Sequence, residues 1–258
     1  MKRVLKIILG VVVALLVVLM VLPFAFKGKL ESVVKEEGNK LLNAQFDFAE
    51  LDISLIRNFP LASVSLKDFW LKGVEEFEND TLVYAGEVTA AVNLSALMSG
   101  DFEISKVLIA DTRLRAIVLE DGRVNWDVMK PSDEAEKVED DGGSASFNVK
   151  LKRLTVDNLT AVYDDRQGGM YASVEELEAS CSGDLGSDET TIKLKAETPS
   201  VTFRTGGVSM LSRAEVMADV DVEADLKNMR FTLSDNEIGL NAIRAAIDGW
   251  VQLDGEAM

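Results

Sequence analysis

The sequence predicts a mainly β protein that follows one N-terminal transmembrane helix. Three observations lead to this fold class. Residues 7–26 form an uncharged apolar run. From Phe46 onward, apolar and polar residues alternate with the period of two that is typical of strands. Turn residues separate the alternating stretches, and no long helix is needed after residue 100, so we expect an antiparallel meander with few helices.

The apolar run IILGVVVALLVVLMVLPFAF is long enough to cross a bilayer. Twenty helical residues extend for about 30 Å, the thickness of the hydrocarbon core. Basic residues precede the run, so the positive-inside rule keeps residues 1–6 in the cytoplasm. A cleaved signal peptide is the alternative, but the run exceeds a typical h-region and no A-x-A site follows it. We expect a retained single-pass anchor, whose marker positions are Ile7, Val13, Leu19 and Phe26.

Residues 27–45 include KLESVVKEEGNKLLNAQ, in which apolar residues recur at helical spacing. This spacing predicts an amphipathic juxtamembrane helix that lies near the membrane or caps the first strands. Gly38 inside the segment weakens its helix propensity.

A first β region is predicted over residues 46–130. The alternation of apolar and polar residues in this region shifts by one position near Ala49. The stretch from Phe102 onward is expected to form two or three short strands, with turns at Asp111 and at Asp121-Gly122.

The linker PSDEAEKVEDDGGSAS, residues 131–146, is acidic and nearly free of large apolar residues, which predicts a flexible loop. Its carboxylates do not match the spacing of an EF-hand loop. Alternating strands resume over residues 147–258, with turn signals such as QGG, TGG and SDNE between them. Because no capping element follows the last strand, we expect an unpaired edge and a chain that is truncated relative to longer relatives.

The stretch VMADVDVEADL, residues 216–226, alternates without a break. Its acids, Asp219, Asp221 and Glu223, are expected to face water, since a slip of one residue would bury them. The opposite face carries Val216, Ala218, Val220, Val222, Ala224 and Leu226.

Composition excludes several classes of function. The net charge of −17 argues against nucleic acid as a partner, because phosphate binding needs clustered Lys and Arg. The chain has no histidine, which removes the commonest general base and any Ser-His-Asp triad. Cys181 is the single cysteine and is expected to be a small, half-buried side chain. We therefore predict no enzyme, no catalytic, cofactor-binding or metal-binding residue, and no cofactor.

The order of these features resembles the AsmA-like family of envelope proteins. The matching stretches are LDISLIRNFPLASVSLKDFWLKG and, most specifically, SGDFEISKVLIADTRLR followed by DGRVNW; NEIGLNAIRAAIDGWVQLDGE is similar as well. In the DGRVNW motif, Asp121 and Gly122 are expected to form a turn that is flanked by polar positions. Trp126 is expected to anchor this turn on the sheet. The motif positions are Asp121, Gly122, Arg123, Asn125 and Trp126.

The resemblance implies a long, curved antiparallel sheet that forms an apolar groove. It also implies an inner-membrane protein, with most of its chain in the periplasm, that takes part in phospholipid transport between membranes or in outer-membrane homeostasis. The inner membrane, phospholipid acyl chains and other envelope proteins are the partners that follow. The candidate groove-lining residues are Val88, Ala90, Val92, Val216, Ala218, Val220, Val222 and Leu226.

Three further interpretations stay open at this point. The apolar face could shelter a client strand during outer-membrane protein assembly. It could also be the closed core of a sandwich, in which two sheets pack about 10 Å apart. An enzyme is the least favoured.

The anchor makes a direct prediction about topology. A reporter that is active only in the periplasm, fused after Met258, is expected to be active, and the protein should stay in the membrane fraction after an alkaline wash. A soluble protein with a processed N-terminus would show instead that residues 7–26 are a cleaved signal peptide.

Overall fold

The computed structural model describes residues 28, 31–32, 34–36, 38–39, 42–58, 61–93, 102–128, 147–148, 151–183 and 189–253. The predicted anchor, 7–26, and the predicted linker, 131–146, lie outside these residues. Within the described part of the chain, no helix is both long and apolar enough to cross a membrane.

Among the described residues, twelve strands form one sheet, and alternating residues give each strand two chemically different faces. The sheet order is β1-β3-β4-β5-β7-β8-β9-β10-β11-β12, with β2 paired to β3 and β6 paired to β5. The strands are β1 (Gln45–Asp47), β2 (Glu50–Asn58), β3 (Leu61–Lys72), β4 (Thr81–Asn93), β5 (Phe102–Val118), β6 (Phe147–Asn148), β7 (Arg153–Asp165), β8 (Met170–Ser182), β9 (Glu189–Thr205), β10 (Val208–Asp225), β11 (Arg230–Leu240) and β12 (Ile243–Gln252). A 3-10 helix spans Glu75–Phe77.

The sheet is mixed, whereas the sequence predicted an antiparallel meander. β5 pairs in parallel with β6 and with β7, and the other pairs are antiparallel. Parallel neighbours need a connection of a dozen or more residues to return the chain to the same end. The stretch between β5 and β7, which includes the predicted linker, has that length. Alternation along a strand is identical in both pairings, so the sequence pattern did not distinguish them.

Several strands are longer than predicted because residues expected to be turns lie inside them. Asp111 was expected to end a strand but lies within the 17 residues of β5. Asn158 lies within β7 and Pro199 lies within β9, although Asn and Pro are also residue types that favour turns. The SDNE signal falls in β11, where the register shifts between Leu233 and Asn236. At the phase slip near Ala49, by contrast, the chain does separate β1 from β2.

Asp111, Asn158 and Pro199 belong to a line of extra residues that crosses seven neighbouring strands, which we call the bulge line. Regular alternation puts one residue between two neighbouring residues that point to the same face of the sheet. At the bulge line, each of the seven strands has two residues there instead of one. Five of the seven have a positive φ between 49° and 56°. The bulge line consists of Asp68, Gly86, Asp111, Asn158, Glu176, Pro199 and Arg213.

The chemistry of the bulge line suits its backbone. Asp and Asn tolerate positive φ better than most residues, and proline is admitted to a sheet at a bulge because no ladder donor is lost there. A Cβ on Gly86 would lie 2.9 Å from the Asp111 Cβ, so only glycine fits between the neighbouring strands. Asn158 Nδ2 donates to Asp111 Oδ1 at 2.8 Å, which ties β7 to β5 along the line.

The described residues between Gly28 and Asn39 are helical and contact the first strands. Lys35 Nζ donates to the carbonyl oxygen of Phe48 at 2.9 Å, and Glu31 Oε1 accepts from the Leu51 amide at 3.3 Å. A Cβ on Gly38 would lie 2.3 Å from the Phe46 ring. The segment therefore caps the first strands, one of the two positions that the sequence left open, and Gly38 permits the close approach.

Glu176 gives a test of the bulge line, because its φ is 51° and it lies on the surface. Glu176→Val should be less stable than Glu176→Gly by about 1–2 kcal/mol, since a β-branched residue resists positive φ and glycine does not. Urea unfolding of the two full-length variants measures the difference. Equal stabilities would show that the bulge is not held in this conformation.

Candidate functional site: an uncovered apolar sheet face

One face of the sheet carries an apolar row that crosses ten of the described strands. Each residue of a cross-strand pair points to the same side of the sheet, so the register identifies the residues that share a face. Starting at Leu51 of β2, the pairs run through ten strands without a polar residue. This first apolar row is Leu51, Leu66, Val88, Ile109, Val156, Ala179, Ala196, Ala218, Ile238 and Ala245.

A second apolar row runs beside the first. On each strand, its residue lies two positions from the residue of the first row and therefore points to the same face. The second row crosses eight strands. The row is Ile53, Val64, Ala90, Val107, Leu154, Cys181, Leu194 and Val220. We call the side of the sheet that carries both rows the apolar face.

The register places the predicted lining residues on the apolar face, with one exception. Val88 and Ala218 belong to the first row, and Ala90 and Val220 belong to the second. Val92, Val216 and Val222 alternate in phase with them on β4 and β10. Leu226 does not belong to this set, because β10 ends at Asp225 and Leu226 lies in the following turn, 42% exposed.

No second layer covers this face among the described residues. Every pair of elements in extensive contact is a hydrogen-bonded pair of strands, so no second sheet packs against the first. Leu194 is 37% exposed and Ile238 is 40% exposed. The structure therefore contradicts the closed-sandwich interpretation for the described region. Phe48 and Leu51, each 2% exposed, lie at the β1–β2 end, beneath the helical segment.

The opposite face carries the charged residues. Lys193 pairs with Asp221, and Lys195 Nζ donates to Asp219 Oδ2 at 2.6 Å, both between β9 and β10. The hydrogen bond to Asp219 raises the pKa of Lys195. The acids of β10 thus lie on the side away from Val220, as the alternation predicted.

The DGRVNW segment forms a turn that folds back on the end of β5. The Leu119 amide donates to the Arg123 carbonyl at 2.8 Å, and Gly122 has a φ of 85°, which favours glycine. The Arg123 guanidinium binds the carboxylates of Asp121 and Glu76. Its hydrogen bonds lower the pKa of both carboxyls.

Asn125 has a role that the sequence did not reveal. It is 2% exposed, and its Oδ1 accepts from the Ile117 amide at 2.8 Å while its Nδ2 donates to the Arg115 carbonyl at 2.7 Å. The side chain therefore replaces a strand neighbour at the end of β5. Trp126 is 42% exposed, and its ring lies 6.2 Å from that of Tyr163. The residues of this motif hold the turn against the end of β5. The buried Asn125 amide is recognised only from its hydrogen bonds in the folded protein.

Asn125→Ala should destabilise the protein by about 2–4 kcal/mol, because two backbone groups at the end of β5 lose their partner. Asp127→Ala, an exposed change in the same turn, should have little effect. Thermal unfolding of both variants checks the prediction. Similar melting temperatures would mean that water replaces the Asn125 amide without cost.

No three His, Cys, Asp or Glu residues of the described part of the chain are grouped so that they could hold a metal ion. The site is a surface for apolar contact, built from cross-strand rows rather than from converging polar groups.

Comparison with known proteins gave one match. A model of the AsmA family matches residues 1–236. No curated protein and no solved structure matches the chain. Because the family match extends over most of the 258 residues, the chain belongs to the AsmA family.

Proposed function

We propose that this AsmA family protein is anchored in the bacterial inner membrane and carries phospholipid acyl chains along its apolar face, in transport between membranes or in outer-membrane homeostasis. One observation carries the proposal: the first apolar row crosses ten strands with no protein layer over it among the described residues. Adjacent strands lie about 4.8 Å apart, so nine steps between ten strands give a track of roughly 43 Å. A continuous apolar track is what an acyl chain needs to stay out of water.

The energetics favour lipid on such a face. Burial of each CH₂ group contributes about 0.8 kcal/mol. Half-sheltering a chain of about 16 carbons therefore stabilises it on the sheet by roughly 6 kcal/mol. The face needs no catalytic residue to do this, so the proposed function is transport and not catalysis.

The bulge line supports a groove in place of a flat surface. Bulges bend the strand that carries them and increase its twist. In each of the seven strands the extra residue lengthens the polar side, and polar side chains such as Asp68 and Asp111 interact there with Tyr84 and Asn158. The longer side of a bent sheet lies on the outside of the bend. A bend of this sense would place the apolar rows on the inside.

A second candidate function is assembly of outer-membrane proteins, and the edge strand β12 favours it. β12 pairs with β11 alone among the described strands, and all ten of its residues are exposed. Ile243 is 68% exposed and Trp250 is 60% exposed. A free edge with apolar side chains can accept an extended client segment by β-augmentation. Such a client would bind at the edge, whereas a lipid would lie across the strands.

Val222→Asp tests the lipid proposal, because it places a charge on the apolar face of β10. The variant should retain much less phospholipid than the wild type when both are extracted in detergent and measured by native mass spectrometry. Since the face is open, the loss of stability should stay below about 2 kcal/mol. Asp221→Asn on the opposite face is the control and should retain lipid normally, because an exposed ion pair contributes little.

The comparison of the two variants decides the proposal. Phospholipid that is bound equally by all three proteins would show that the apolar face is not its site. Absence of phospholipid from the wild type would remove the proposed function, and a Val222→Asp variant that simply unfolds would identify the face as ordinary core.

A further inference from the structure

Asn236 interrupts the second apolar row on β11. The register between β10 and β11 shifts between Asp219 and Asp221, so Val220 faces the two residues of β11 that lie between Ser234 and Glu237. One of these is Asn236. It lies two residues from Ile238 of the first row and pairs with Ile247 of β12, which places it on the apolar face.

The amide of Asn236 is held in one orientation. Its Oδ1 accepts from the Asp221 amide at 2.6 Å, and the residue is 2% exposed. This bond fixes the orientation of the amide, and the Nδ2 group, which can donate hydrogen bonds, has no partner. Ser200 Oγ is also buried without a partner, but a hydroxyl can rotate toward an acceptor, whereas the Asn236 amide cannot turn without losing the Asp221 bond.

An unpaired buried donor is costly, so its presence in an otherwise apolar row calls for a partner that the protein alone does not supply. The surrounding positions on this face are Val220, Ile238 and Ile247. The acids of β10 point to the opposite side. A neutral donor among alkyl side chains suits a neutral acceptor that is itself attached to alkyl chains. Phosphate would be better matched by arginine or lysine.

We propose that Asn236 Nδ2 donates a hydrogen bond to an ester carbonyl oxygen of an acyl lipid whose chain lies along the apolar face. This inference rests on the proposed function and specifies the linkage that the face recognises. Because Asn236 is buried, contact requires a neighbouring side chain to move, and Ile247 is its cross-strand neighbour on β12. That side chain is 46% exposed on the edge strand, and exposed side chains change rotamer in picoseconds to nanoseconds.

The test compares two phospholipids that differ only in this linkage. The detergent-extracted full-length protein is incubated with equal amounts of a diacyl ester phosphatidylethanolamine and its dialkyl ether analogue, which lacks the carbonyl oxygens. Native mass spectrometry gives the ratio of the two bound forms. One hydrogen bond should favour the ester lipid by about fivefold in the wild type.

Asn236→Leu should bind both lipids with a ratio near one, because the donor is gone while the apolar track is kept. Asn228→Leu, in the exposed turn where Asn228 Nδ2 donates to Asp225 Oδ2, should keep the wild-type ratio. Melting temperatures of both variants show that they are folded.

Each outcome decides a separate point. A wild-type ratio near one, with lipid bound, overturns the role of Asn236 and leaves the proposed function intact. A preference that survives in Asn236→Leu also overturns it. If neither lipid binds to the wild type, the proposed function itself fails. Should Asn236→Leu unfold, the wild-type ratio still decides, since a ratio near one contradicts the proposal.

Discussion

Register is the constraint on which the rest of this structure depends. The first apolar row stays apolar through ten strands only because each pair of neighbours meets in phase. A slip of one residue between any two strands would move every following side chain to the other face. Valines and alanines would then face the charged side, and Lys193, Lys195 and their carboxylate partners would face the apolar side. The acids of β10 therefore fix the register as firmly as the apolar residues do.

The bulge line obeys the same constraint. An extra residue in one strand alone is a local β-bulge, in which two residues lie opposite one residue of the neighbouring strand. Here the insertion recurs in seven neighbouring strands, and the apolar face continues in phase on both sides of the line. Asp68, Gly86, Asp111 and Asn158 lie side by side in four of them. The sheet can bend along this line while its hydrogen-bonded pairing and its two faces remain continuous.

The two ends of the first β region are closed by side chains that replace missing backbone partners. At the break between β1 and β2, Lys35 binds the Phe48 carbonyl and Glu31 binds the Leu51 amide. At the end of β5, Asn125 does the same for Ile117 and Arg115. These polar contacts leave the apolar face open between them. In the described part of the chain, the apolar face is thus covered by a helix at one end and open between the two polar closures.

The sequence by itself determined the two-sided character of the sheet, because alternation with a period of two is a local property of each strand. It determined the phase of β10 and the turn at Asp121-Gly122 for the same reason. Tertiary structure decided whether Asp111, Asn158 and Pro199 end a strand or continue it. A residue at positive φ, such as Asp111 or Asn158, serves equally in a turn and in a bulge, and proline is found in both as well. Tertiary structure also decided the parallel pairing of β5 and β7 and the burial of Asn125 and Asn236. Those features depend on which strands become neighbours, and the alternation of residues along one strand does not specify which strand lies beside it.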